Sequence, residues 1–98
     1  IDDRYPAGEL VLRGHFLTSH RDEILATIHR IAGLEQNEHP LHRIMDIDEG
    51  GDETVITTTD IHLPHRIAHA LEDAWGGSMS THYDLEGYYA RARWERNN

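Results

Sequence analysis

Residues 55–77 read VITTTDIHLPHRIAHALEDAWGG. The run from Val55 to Thr59 is β-branched throughout, and such side chains suit a pleated surface. Asp60 ends it. Its carboxylate can accept hydrogen bonds from the free N–H groups of a following helix. Pro64 then falls in the first helical turn, where its missing N–H costs least. Leu63, Ile67, Ala70, Leu71 and Ala74 recur at helical spacing and form one apolar stripe. Gly76-Gly77 stops the helix. The stretch is strand, cap, amphipathic helix and stop.

Upstream, Glu49-Gly50-Gly51-Asp52 is a tight polar turn. It pairs residues 53–59 in a hairpin with a strand over residues 41–48. That earlier strand is apolar at Leu41, Met45 and Ile47, with Ile44 out of phase. Residues 9–16 alternate: Leu10, Leu12, Gly14 and Phe16 share one face, and Val11, Arg13 and His15 the other. Thr18 and Ser19 can cap a helix carrying Asp22 and Glu23 in its first turn. Its apolar stripe is Ile24, Leu25, Ile28, Ile31 and Ala32; Gly33 weakens the far end and Pro40 lies beyond.

Downstream, residues 78–84 alternate through Met79, Thr81 and Tyr83, and Leu85-Glu86-Gly87 turns the chain. Residues 88–95 set Tyr88, Ala90, Ala92 and Trp94 against Tyr89, Arg91, Arg93 and Glu95. The order is β-α-β-β-α-β-β. This predicts an α+β domain on the ferredoxin-like split βαβ plan, with a mostly antiparallel sheet and two helices on one face. A final hairpin adds the fifth strand, and the other sheet face is left open or covered by a partner. Residues 1–8 read as a linker and residues 9–96 as a single domain.

The 98 residues suggest one domain with a modest core. No apolar run approaches the ~18 residues of a membrane helix. Cysteine is absent, which removes disulfides, a thiol nucleophile and Cys-ligated zinc, and fits a cytoplasmic setting. The chain opens on Ile1 and a polar IDDRYPAG, as a piece of a longer protein would. Net charge is −9 with nine histidines counted neutral, so mild acidification should cancel it. An acidic domain repels phosphate, which counts against extensive nucleic-acid binding by this piece alone.

No motif establishes a reaction. Thr57-Thr58-Thr59 precede a helix, but no glycine-rich loop and no Gly-Lys-Ser/Thr follow, so a phosphate loop is excluded. Ser19, His20 and Asp22, and Ser78, Ser80 and His82, lie near one another without a nucleophile elbow. His65 and His69 stand four apart on one helix with Asp73 a turn on, a spacing that can hold zinc. The hydrolase signature needs Glu directly after the first His, and Arg66 stands there instead. The pair is at most a weak metal candidate beside a solvated helix face. If the first and last strands are neighbours, Arg13, Tyr89, Arg91 and Arg93 share the open sheet face. Guanidinium groups and a ring are the parts of a sheet-type RNA platform. Cross-strand pairing with Glu9, Glu53 and Glu95 is the structural alternative.

Three segments carry a resemblance: ELVLRGHFLTSHRDEILATIHRIAG, EHPLHRIMDID and TTTDIHLPHRIAHALEDAWGGSMSTHYDLEGYYARARWER. Across residues 5–96 the chain resembles an uncharacterised family of small bacterial proteins in which a Cys-pair zinc ribbon precedes this domain. It is more distantly similar to the N-terminal half of the NMD-type adaptor that exports large ribosomal subunits in archaea and eukaryotes. That similarity runs through Glu23-Ile24, Gly50-Gly51, Arg66-Ile67-Ala68, Gly76-Gly77 and Tyr89, Arg91 and Arg93. The resemblance implies a non-catalytic, ribosome- or RNA-associated adaptor, with zinc held in a ribbon N-terminal to this chain and no cofactor within it. A protein partner or a homodimer across the open face is the alternative, and a His-based metal domain a further one.

Overall fold

The computed structural model describes residues 7–50, 53–84 and 89–97. The chain runs β1 (Gly8–Arg13), α1 (His15–Ser19), α2 (Arg21–Glu38), β2 (Ile44–Gly50), β3 (Glu53–Thr58), α3 (Leu63–Trp75), β4 (Ser78–Tyr83) and β5 (Ala90–Glu95). One sheet has the order β2-β3-β1-β5-β4. Every pairing is antiparallel except β1 with β5. The α+β class therefore holds. Leu10, Leu12, Ile56, Ala92 and Trp94 of the sheet pack with Ile24, Ile28 and Ile31 of α2 and Leu63, Ile67 and Leu71 of α3.

β3 lies between the parallel strands β1 and β2, which is the split arrangement. The last hairpin is not simply added at the edge. β5 enters beside β1, and β4 becomes the edge strand. The side chains explain the order. β5 turns Ala90, Ala92 and Trp94 inward with no exposure, as a central strand must. β4 carries Ser78, Ser80, Thr81 and His82, a polar set suited to an edge.

The α3 capping is as expected. Asp60 Oδ2 accepts from the N–H groups of His62 (3.0 Å) and Leu63 (3.1 Å). Pro64 lies in the first turn, and Gly76 and Gly77 leave the helix at φ 73° and 87°. Thr59 also explains itself. Its Oγ1 donates to Leu41 O (2.6 Å) and accepts from Arg43 N (2.9 Å), tying the approach to β2 onto the end of β3.

Three expectations are corrected. The first strand stops at Arg13, not residue 16, because Gly14 at φ 113° turns the chain into the short helix α1. His15 is thus helical and exposed, while Phe16 still reaches the core. Thr18 and Ser19 belong to α1 and do not cap α2, whose N-cap is His20 without a side-chain bond. The far end of α2 is as expected: the helix passes Gly33 and ends at Glu38, ahead of the residue restricted by Pro40. Finally, β2 starts at Ile44 and Leu41 is 84% exposed. A bulge between Ile44 and Asp46 inserts one residue, so Ile44 and Ile47 face the core together despite their three-residue spacing. The Leu85-Glu86-Gly87 turn and the Gly51-Asp52 half of the β2–β3 turn lie outside the described residues.

Candidate functional site

The sheet face opposite the helices is a grid set by register. Glu9, Val11 and Arg13 of β1 lie beside Arg91, Arg93 and Glu95 of β5. On the other side they lie beside Thr57, Val55 and Glu53 of β3. β2 adds Asp46 and Asp48 next to Thr57 and Val55, and β4 adds His82 and Ser80 next to Arg91 and Arg93. All four anticipated residues, Arg13, Tyr89, Arg91 and Arg93, come together on this side, and His15 does not. Arg91 Nε lies 2.8 Å from Glu9 Oε1, and Arg13 Nε 3.2 Å from Glu53 Oε2. Such exposed pairs are worth about 0–1 kcal/mol each, so they orient the arginines more than they hold the sheet. Arg93 has no ion pair among the described residues. Tyr89 is half-buried beside Arg91 and Glu9. Burial, and then the Glu9 charge, push its phenol above the ordinary tyrosine range, with Arg91 working against them. Glu9, Val11, Glu53, His82, Arg91 and Arg93 line a shallow concavity of about 410 Å³.

The face is divided by charge. Asp46, Asp48 and Glu53 occupy its β2–β3 side, and Arg91, Arg93 and His82 its β5–β4 side, where Glu95 at the end of β5 is the one acidic side chain among the described strand residues. Val11 and Val55 are directly opposed between them. The alternation of strands β1 and β5 made this face legible in the sequence. The pairing of strands that are distant in the chain did not.

The His65/His69 pair is engaged elsewhere. His65 Nδ1 is 2.9 Å from Thr81 Oγ1, His69 Nδ1 is 3.3 Å from Asp73 Oδ2, and the ring centroids are 6.2 Å apart. A different cluster forms at the end of α2. Glu35, His39 and His42 bring one ligand atom each within 4.8 Å of one another. Glu35 is only 4% exposed. Its Oε2 accepts from His42 Nδ1 at 2.8 Å, and its Oε1 accepts from Arg66 Nη1. The His42 hydrogen bond holds Glu35 below the usual carboxylate range. Burial pushes the other way, and Arg66 adds to the lowering. Asp60 Oδ2 approaches His42 Nδ1 from the start of α3 at 3.4 Å. The sequence signal was Glu35-x-x-x-His39-x-x-His42. It straddles a helix end and Pro40, so neither helical nor strand periodicity connects its members.

Comparison of the chain with models of protein families, with curated proteins and with solved structures finds no match.

Proposed function

We propose that this chain is a binding domain without catalytic activity, that it works through the open sheet face, and that the occupant is the same face of a second copy. The division of charge across that face carries the reading. A two-fold axis running along β1 turns the acidic β2–β3 side of one copy onto the basic β5–β4 side of the other. Val11 meets its counterpart near the axis, and Val55 comes to lie over Arg93 of the other copy. An isologous contact of this kind needs one self-complementary patch and no second partner. Sheets stacked face to face lie ~10 Å apart, within reach of arginine side chains from both sides. Phosphate suits the face less well, since Glu9 and Glu53 already engage two of its arginines.

The test is sedimentation equilibrium over a concentration series at low and high salt. The mass should rise toward twice that of one chain, and more weakly at high salt. Arg93→Glu should leave a monomer, and adding Asp48→Arg to it should restore association. A single monomeric species at every concentration overturns the reading. The ribosome- or RNA-associated adaptor is the second reading, favoured by Arg93 without an ion pair among the described residues and by Tyr89 next to Arg91. It predicts co-sedimentation of the full-length protein with ribosomes, lost on Arg91→Glu with Arg93→Glu. That result in a monomeric chain assigns the face to RNA.

A further inference from the structure

The geometry points to a divalent transition-metal site, of zinc type, formed by Glu35, His39 and His42 with Asp60 as fourth donor. It lies on the helical side, away from the sheet face, and stands independently of what that face binds. Two imidazoles and two carboxylates are a donor set that zinc takes in tetrahedral sites. At Zn–N and Zn–O lengths of about 2.0–2.1 Å, tetrahedral ligand atoms lie roughly 3.3 Å from one another. The His42 Nδ1 to Asp60 Oδ2 separation is 3.4 Å, and the Glu35, His39 and His42 atoms all lie within 4.8 Å. Side-chain adjustments of the ångström scale bring Glu35, His39 and His42 to ligand spacing, and Asp60, which lies outside that group, adjoins it through His42. The ring of exposed His39 stacks on that of His42 at 4.7 Å between centroids, so the two imidazoles are already held together next to Glu35.

Two further observations point to a ligand. Asp60 is 8% exposed, and its Oδ1 is buried with no hydrogen-bond partner among the described residues. A buried carboxylate oxygen left unpaired is costly, and a cation is a natural partner for it. Charge gives the second. Three carboxylates, Glu35, Glu38 and Asp60, stand in and beside the cluster with one guanidinium, Arg66, which reaches Glu35 and Glu38. With neutral imidazoles the cluster carries a net charge of −2, which one divalent ion cancels. Arg66 does not compete for the metal. It takes Oε1 of Glu35, leaves Oε2 toward His42 and fixes the carboxylate, as outer-shell partners of metal ligands do.

The measurement is calorimetric titration of Zn²⁺ into chain stripped with chelator. One ion per chain is expected, with a thermal midpoint that rises with free Zn²⁺. His39→Ala, at an exposed ring, and Glu35→Gln should each weaken binding at least about tenfold. The double variant His65→Ala with His69→Ala should bind as wild type does. Co²⁺ in place of Zn²⁺ should give the visible absorption of a tetrahedral centre. Circular dichroism of each variant separates lost ligation from lost fold. No saturable binding overturns the site, leaving a hydrogen-bonded ion cluster. Binding that survives His39→Ala and Glu35→Gln but disappears without His65 and His69 also overturns it.

Discussion

Replacing Gly14 with alanine tests how β1 is joined to the helical layer. Gly14 holds φ 113° and ψ 161°, a region only glycine visits readily. A Cβ there would lie 2.0 Å from the carbonyl oxygen of Arg96 and 2.8 Å from its nitrogen. Those atoms cannot move freely. Phe16 N donates to Arg96 O at 3.1 Å, and Arg96 N donates to Arg13 O at 3.2 Å. Forcing alanine into this backbone costs about 1–3 kcal/mol, and shifting residue 96 to make room loses two hydrogen bonds of about 1 kcal/mol each. The expected destabilisation is about 3–5 kcal/mol, a large part of the ~5–15 kcal/mol that holds a domain. With a urea m-value near ~1.5 kcal/mol/M, the midpoint should fall by about 2–3 M. Fluorescence of Trp75 and Trp94, which flank this junction, reports the transition. Gly33 is the internal control. It is exposed inside α2, and a Cβ there meets nothing within 4 Å. Gly33→Ala should stabilise by about 0.5–1 kcal/mol. A Gly14→Ala midpoint equal to wild type, or an equal loss in both variants, refutes the reasoning.

Two other outcomes are expected. The pKa of Glu35 is depressed in the folded chain, so its ionisation stabilises the fold above the unfolded-state value and that contribution is lost as pH falls through the folded value. In chelator, the stability gap between wild type and Glu35→Gln should therefore be widest near neutrality and close below the ordinary glutamate range, about 4.3; a gap that widens on acidification contradicts the assignment. The bulge in β2 predicts that Ile44→Ala costs about 2 kcal/mol or more, whereas Leu41→Ser changes stability by less than about 0.5 kcal/mol. Chemical denaturation of both variants checks it, and the reverse order would place Leu41 in the core.

Local chemistry made several features readable in advance. The β-branched run of β3, the Asp60 cap, Pro64 and the Gly76-Gly77 stop each depend on residues within a few positions of one another. The alternation of β5 likewise told Ala92 and Trp94 from Arg91 and Arg93. Ile44 shows where this reasoning ends. Period two assigns it to the wrong face, and only the pairing of β2 with β3 reveals the extra residue that brings it inward. Phe16 reaches the core by a helix and not by the strand its spacing suggested, because Gly14 makes a turn that neighbouring residues do not announce.

The sequence by itself determined the order of elements apart from the short helix α1, the α+β class and the inward sets of β1, α3 and β5, since all of these follow from short-range periodicity and capping. Tertiary structure alone decided that β5 lies between β1 and β4, that Glu9 meets Arg91 and Glu53 meets Arg13, and that Glu35, His42, Asp60 and Arg66 converge. Those contacts join residues 7 to 82 positions apart. No local pattern encodes them, because they follow from how the apolar faces of the whole chain are buried together.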